Sequence, residues 1–135
     1  MSDDSMGRIR LLVVDDEPLN RELLSRVLGR LYDVSEAKDA ADALAVLEQS
    51  GEYIRVILCD QLMPGRMGTQ LAEDVSARWP GTHFMLLTGY DDDPVVAEAV
   101  EKGHVHEVLA KPWRGKTLKE LIKRRLADGD ESLEP

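Results

Sequence analysis

Residues 55–65 read RVILCDQLMPG. Val56, Ile57, Leu58 and Cys59 form an unbroken apolar run that stops at Asp60, ahead of a Pro64-Gly65 turn. A short continuous apolar run bounded by turn residues is the mark of a buried strand. A carboxylate at the end of such a strand either closes a turn or lies in a pocket and does chemistry, and the choice depends on what else reaches the same place.

Working outward, apolar runs alternate with helical patterns on both sides of this strand. A first strand is expected over 9–14 (IRLLVV), followed by a helix over 18–28, with Pro18 suited to its first turn and Gly29 to its end. A weaker strand is expected over 32–35. The helix after it, 39–49, carries Ala40, Ala43, Leu44 and Leu47 at helical spacing. Beyond the strand 54–59, a helix over 67–79 closes at Pro80-Gly81, a fourth strand covers 83–87 (HFMLL), and Asp93-Pro94 opens a helix that ends near Gly103. A short strand over 107–110 and a final helix over 117–126 complete the pattern. Five strands alternating with five helices predict an α/β fold, a parallel sheet with helices on both faces, because parallel strands need crossover connections. The ordered domain is expected over 8–127, with structureless ends at 1–7 and 128–135, the latter an acidic tail or the start of a linker.

The chain has 135 residues, 43% hydrophobic and 32% charged, which suits one globular domain. A net charge of -9 argues against direct binding of nucleic acid, whose phosphates need a basic footprint. No run approaches the roughly 18 apolar residues of a membrane span, and the opening MSDDSM is too acidic for a secretion signal. One cysteine excludes an internal disulfide and fits a reducing cytoplasm.

In open parallel sheets, ligands bind at the carboxyl ends of the strands. The first strand ends in Asp15, Asp16 and Glu17, the third in Asp60, the fourth in Thr88 and the fifth in Lys111. All would reach one edge of the sheet. Two carboxylates about 5 Å apart repel by about 3 kcal/mol at an effective dielectric of about 20, so such a cluster needs cations. A lysine offsets part of the charge. Magnesium offsets more, since it takes oxygen ligands and keeps several waters. An aspartate beside such a metal can attack phosphorus, while the metal and lysine neutralise the transferring group and a threonine hydroxyl donates to it. Each residue alone also has a structural explanation. The acids before Pro18 could cap a helix, Asp60 could form an Asx turn, Thr88-Gly89 could be a plain strand end, and Lys111-Pro112 a surface loop. The convergence of four strand ends favours the pocket.

Together the motifs LLVVDDEP, VILCDQLMPG, LLTGY and LAKPW resemble the receiver domain of bacterial two-component response regulators, over roughly residues 8–127. The resemblance implies a doubly wound, flavodoxin-like sheet of strand order 2-1-3-4-5. It implies that Asp60 accepts a phosphoryl group from the histidine of a sensor kinase or phosphotransfer protein. Asp16 and Asp60 would bind magnesium (Mg2+) directly, the backbone carbonyl of Leu62 would be a third ligand, and Asp15 would act through a coordinated water. Thr88 and Lys111 would sense the phosphoryl group. The face made by the fourth helix, fifth strand and fifth helix would then change, binding partners or forming a homodimer. The domain would transfer phosphoryl groups only to and from itself, without acting on a separate substrate.

The sequence departs from the family at two places. Val108 stands where an aromatic residue, three before the lysine, usually rotates inward on activation. The segment 103–111, GHVHEVLAK, is one residue longer than the usual form. With the Trp after Lys111-Pro112, it resembles a receiver subgroup attached to cyclic-dinucleotide phosphodiesterase or transcription-activating modules. Leu62 and Tyr90, two residues beyond Asp60 and Thr88, would flank the phosphoryl group and lengthen its lifetime by restricting water.

Other residues have plainer readings. His104 and His106 lack a third metal ligand and are expected in a solvated loop. Cys59 points away from Asp60 into the core, and Trp79 and Trp113 anchor local packing. Seven of the 17 basic residues fall between Lys111 and Arg125, either as cations near a helix C-terminus or as an interaction face. Two rival functions remain. A haloacid-dehalogenase-type magnesium phosphatase would carry its nucleophile in a D-x-D motif on the first strand, whereas here the acidic pair comes first and Asp60 is followed by Gln61 and Leu62. The other rival is an interaction module that keeps the fold without phosphorylation.

Overall fold

The computed structural model describes residues 8–50, 53–90 and 92–133, with 128–133 described by backbone alone. Strands β1 (Arg10–Val14), β2 (Asp33–Ala37), β3 (Ile54–Asp60), β4 (His83–Thr88) and β5 (Glu107–Ala110) alternate with helices α1 (Pro18–Leu28), α2 (Ala40–Ser50), α3 (Gly68–Arg78), α4 (Pro94–Glu101) and α5 (Gly115–Leu133). The sheet is parallel, in the order β2-β1-β3-β4-β5.

Strand alternation splits the core in two. Leu12, Val14, Ile57, Cys59 and Leu86 face α2, α3 and α4. Leu11, Val13, Val56, Leu58, Met85 and Leu87 face α1 and α5. Each fully buried Leu or Ile contributes about 1.5–3 kcal/mol. Leu118 and Ile122, with no exposed surface, therefore hold α5 firmly to its face. Cys59 is buried in the first cluster, as expected, and Trp79 and Trp113 pack from the margins of the two clusters.

The main departure from expectation is at the end of the chain. The final helix begins at Gly115 and runs to Leu133, beyond the expected stop at 126, so residues 128–133 are helical rather than structureless. No proline interrupts this stretch, and the single Gly129 costs only about 1 kcal/mol of helix propensity. The expected structureless segments 1–7 and 134–135 lie outside the described residues. Elsewhere the differences are small: β2 runs on to Ala37, and α4 ends at Glu101, with Gly103 taking a positive φ of 82° just after it. Gly65 also has a positive φ, 89°, in the turn after β3.

Candidate functional site

The acidic cluster comes from β1 and β3, adjacent in the sheet with Val14 opposite Cys59. Asp15 and Asp60 are buried, 2% and 8% exposed, while Asp16 faces solvent. One carboxylate oxygen from each of the three lies within 4.8 Å of the others. Lys111, leaving β5, donates from Nζ to Asp60 Oδ1 at 2.6 Å. Thr88, at the end of β4, is buried, and its hydroxyl accepts the Tyr90 amide at 3.0 Å. The Lys111 amide donates to the Thr88 carbonyl at 2.9 Å, tying the two strand ends together. The Lys111–Pro112 peptide is cis.

The bonding of Asp15 separates the pocket reading from simple helix capping. Glu17 occupies the N-cap of α1 but makes no side-chain cap bond. Asp15 instead turns inward, its Oδ1 accepting the Glu17 amide at 2.9 Å. Arg21 donates to the Asp15 carbonyl at 2.7 Å and pairs with Glu36 at 3.4 Å, so it does not neutralise the cluster. Burial pushes the Asp15 carboxyl above its ordinary value of 3.8. The Glu17 amide pulls it down, Asp60 pushes it up, Lys111 pulls it down and Asp16 pushes it up, with burial the largest influence. Such a set of oxygen donors fits a hard divalent cation, which would relieve the repulsion that one lysine leaves.

Gln61 is a site residue that the sequence did not single out. It is 2% exposed, and its side chain bridges β3 to the start of α3. Its Oε1 accepts the Thr69 amide at 2.9 Å, and its Nε2 donates to the Thr69 hydroxyl at 3.3 Å. Its own amide donates to Leu87 at 3.1 Å, and its carbonyl accepts from the Gly68 amide at 2.9 Å. This close approach requires glycine at 68, where a Cβ would lie 2.6 Å from the Asp60 carbonyl oxygen and 2.7 Å from Leu86 Cδ1. Strand β3 and helix α3 are thus bound together directly behind Asp60.

The remaining expected residues are spread around this edge. Leu62 and Tyr90 are 55% and 61% exposed. Val108 lies opposite Leu86 and packs against the α2–α3–α4 core. His106 is not in a solvated loop. Half-buried at the start of β5, it donates its amide to the Phe84 carbonyl and accepts the Phe84 amide on Nδ1, both at 2.9 Å. Its ring meets His83 edge-on at 5.4 Å, and the pair lies at the amino end of the sheet, opposite the acidic cluster. Among the described residues, the acidic triad is the group placed to hold a metal ion. No helix among them is long and apolar enough to cross a membrane.

Comparison with known proteins agrees with this arrangement. The family model of the response regulator receiver domain matches residues 11–123. The hydrogenase transcriptional regulatory protein HoxA of Bradyrhizobium diazoefficiens is 34% identical over 113 residues, which are 84% of this chain but 23% of that protein. A CheY-like receiver domain protein from Methanospirillum hungatei superposes with a TM-score of 0.86 at 26% identity, covering 93% of this chain and 99% of that one. The signal receiver domain of an HD domain-containing protein from Pseudomonas fluorescens gives 0.82 at 26% identity, covering 93% and 91%.

Proposed function

The chain belongs to the response regulator receiver domain family, and from that membership we propose that Asp60 is its phosphoacceptor, charged by the phosphohistidine of a sensor kinase or phosphotransfer protein. The observation that carries this reading is the meeting of three carboxylates within 4.8 Å at an edge where Lys111 already grips Asp60. An Asp60 carboxylate oxygen forms a bond to phosphorus as the phosphorus–nitrogen bond to the donor imidazole breaks. The electron pair stays on the imidazole, and an acyl phosphate results.

Asp16, Asp60 and the Leu62 backbone carbonyl would hold magnesium directly, with Asp15 reaching it through a coordinated water. Bound there, the ion supplies neutralising charge for the transferring phosphoryl group. Lys111 then exchanges its bond to Asp60 for one to a phosphoryl oxygen. The Thr88 hydroxyl accepts from Tyr90 and so keeps its own proton available for a second phosphoryl oxygen. A cavity of about 630 Å³ opens beside the pocket against Asp15, Lys111, Trp113 and Leu23. Exposed Leu19 and Leu23 on α1 give a phosphodonor protein an apolar foothold there.

The chain acts as a signalling domain, with cytoplasm as its compartment, and phosphorylation alters the α4–β5–α5 face for a partner or a second copy. The Lys111-Pro112-Trp113 motif and the longer 103–111 segment favour a phosphodiesterase or transcription-activating output. The likeness to a hydrogenase transcriptional regulator and an HD domain-containing protein supports that choice. A second reading, an interaction module that works without phosphorylation, rests on Val108 in place of the aromatic switch. Incubation with a small phosphodonor and magnesium, read by intact mass, separates the two. We expect a phosphate-sized addition that Asp60→Asn abolishes; no addition with any donor would favour the second reading.

A further inference from the structure

The basic stretch 111–125 is not explained by the helix dipole. Because α5 continues to Leu133, its last turn holds no basic residue, and the cations occupy the half nearer its positive end. Two of them have partners elsewhere. Lys111 pairs with Asp60, and Arg125 pairs with Glu107 at 3.0 Å while also donating to the His106 carbonyl.

Lys116, Lys119 and Lys123 line one wall of a groove of about 540 Å³ between α1 and α5. Arg26 and Arg30 line the other wall, with Val27 and Leu31 between the two rows. Glu120 is the one acidic residue in the lining. Arg26 pairs with Glu22 at 3.1 Å, but among the described residues Arg30, Lys116, Lys119 and Lys123 form no ion pair. In a chain of net charge -9, four unpaired cations are thus gathered around one groove. Leu31 remains 51% exposed beside them.

We propose that this groove docks an acidic amphipathic helix of a partner protein. The geometry suits one. Lys116 to Lys123 spans about two helical turns, roughly 10 Å, and the facing apolar lining is Val27 on α1 and Leu31 in the turn just after it. An apolar stripe flanked by glutamates or aspartates would meet apolar floor and cationic walls together. Lysines dominate the α5 wall. They are mobile point charges rather than rigid forks, and they suit a row of carboxylates better than one fixed phosphate. A nucleic acid would meet repulsion from the rest of the chain. The groove lies on the α1 side of α5, apart from the α4–β5–α5 face, and adjoins the cavity beside Asp15 and Lys111, with which it shares Val27 and Gly115.

The test is fluorescence anisotropy with a labelled synthetic helix that carries glutamates along both flanks of a leucine stripe. Saturable binding is expected at low salt, weakening as salt screens it. Lys123→Glu should lower affinity at least about tenfold, a cost of about 1.4 kcal/mol. Arg124→Glu, the same charge change on the same helix but outside the groove lining, should leave affinity within about twofold. Leu31→Ser should weaken binding without changing its salt dependence. The proposal fails if the peptide does not bind, if the two charge reversals act equally, if a scrambled acidic peptide binds as well, or if duplex DNA or inorganic phosphate competes more strongly. Phosphorylation of each variant by a small phosphodonor should match wild type, which also verifies folding and keeps this test separate from the assignment of Asp60.

Discussion

At the amino ends of the strands several polar groups are taken up in bonds between neighbouring elements. The Thr82 hydroxyl donates to the Ile54 carbonyl at 3.0 Å, His106 exchanges two bonds with Phe84, and Arg125 clamps Glu107. At the carboxyl ends, β1 and β3 deliver three carboxylates into a space with one lysine. The first edge uses these polar groups to join neighbouring elements, β3 to the turn before β4, β4 to β5 and β5 to α5, whereas the second accumulates charge that folding alone would disfavour. Stability and reactivity are therefore divided between opposite ends of one sheet, and a substitution at either end should disturb one property and spare the other.

The largest stability effect should come from Arg125→Ala. It removes charged hydrogen bonds to Glu107 and the His106 carbonyl and should cost about 2 kcal/mol in denaturant unfolding. The rate of phosphorylation by a small donor should not change; a matching loss of that rate would break the division between the edges. At the other edge, Leu62→Asn should speed loss of the acyl phosphate by up to about tenfold, or about 1.4 kcal/mol in barrier, by opening a path for water. Unfolding midpoints should stay level, and an unchanged dephosphorylation rate would remove Leu62 from any role in the lifetime.

Asp15→Asn should sharpen the contrast by its sign. Burial holds the folded-state pKa of Asp15 above its ordinary value, so the ionised carboxylate opposes folding and that penalty is absent only in acid below about 3.8. Without metal, the amide variant should melt at a higher temperature than wild type, since it keeps an oxygen for the Glu17 amide and loses the charge. Magnesium should then raise the midpoint of wild type more than that of the variant. A lower metal-free midpoint for the variant would contradict the account of the pocket.

The smallest effect concerns His106. Burial, then His83 and then Arg125 hold its pKa below the ordinary 6.5. The folded state thus favours the neutral ring, whose Nδ1 must accept the Phe84 amide. Its contribution to stability is complete above about pH 6.5 and declines as pH falls toward the folded-state value. Unfolding free energies at about pH 7.5 and about pH 5.5 should show this loss, and His106→Asn should reduce it.

The alternation of strands and helices, the parallel sheet between two helical layers and the polar ends of the strands were legible because they rest on local period and on Pro and Gly punctuation, whereas the strand order came from the family resemblance carried by the motifs at those ends. Asp60 drew attention as a carboxylate that stops an apolar run. Gln61 gave no such signal, since its importance lies in a contact with Thr69 on the next helix. His106 looked solvated because its partner, Phe84, is 22 residues away in another strand. The end of α5 was hidden by composition: charged residues read as solvated chain, yet a helix already anchored by Leu118 and Ile122 continues through them. The groove beside α5 depends on α1 standing opposite, which no single stretch of sequence shows.

The bonds around Gln61 also give the domain a mechanical polarity. The peptide behind Asp60 is fastened on three sides, to Leu87, to Gly68 and to Thr69, and Gly68 leaves no slack between helix and strand. The aspartate is therefore a fixed post, while Tyr90 and Leu62 stand free in solvent on either side. Under the proposed assignment a new charge on that post would find Lys111 of β5 already in contact, while Thr88 at the end of β4 would have to travel toward it. Under that assignment a load applied at Asp60 would pass sideways toward β4 and β5, with α3 behind it as the backstop.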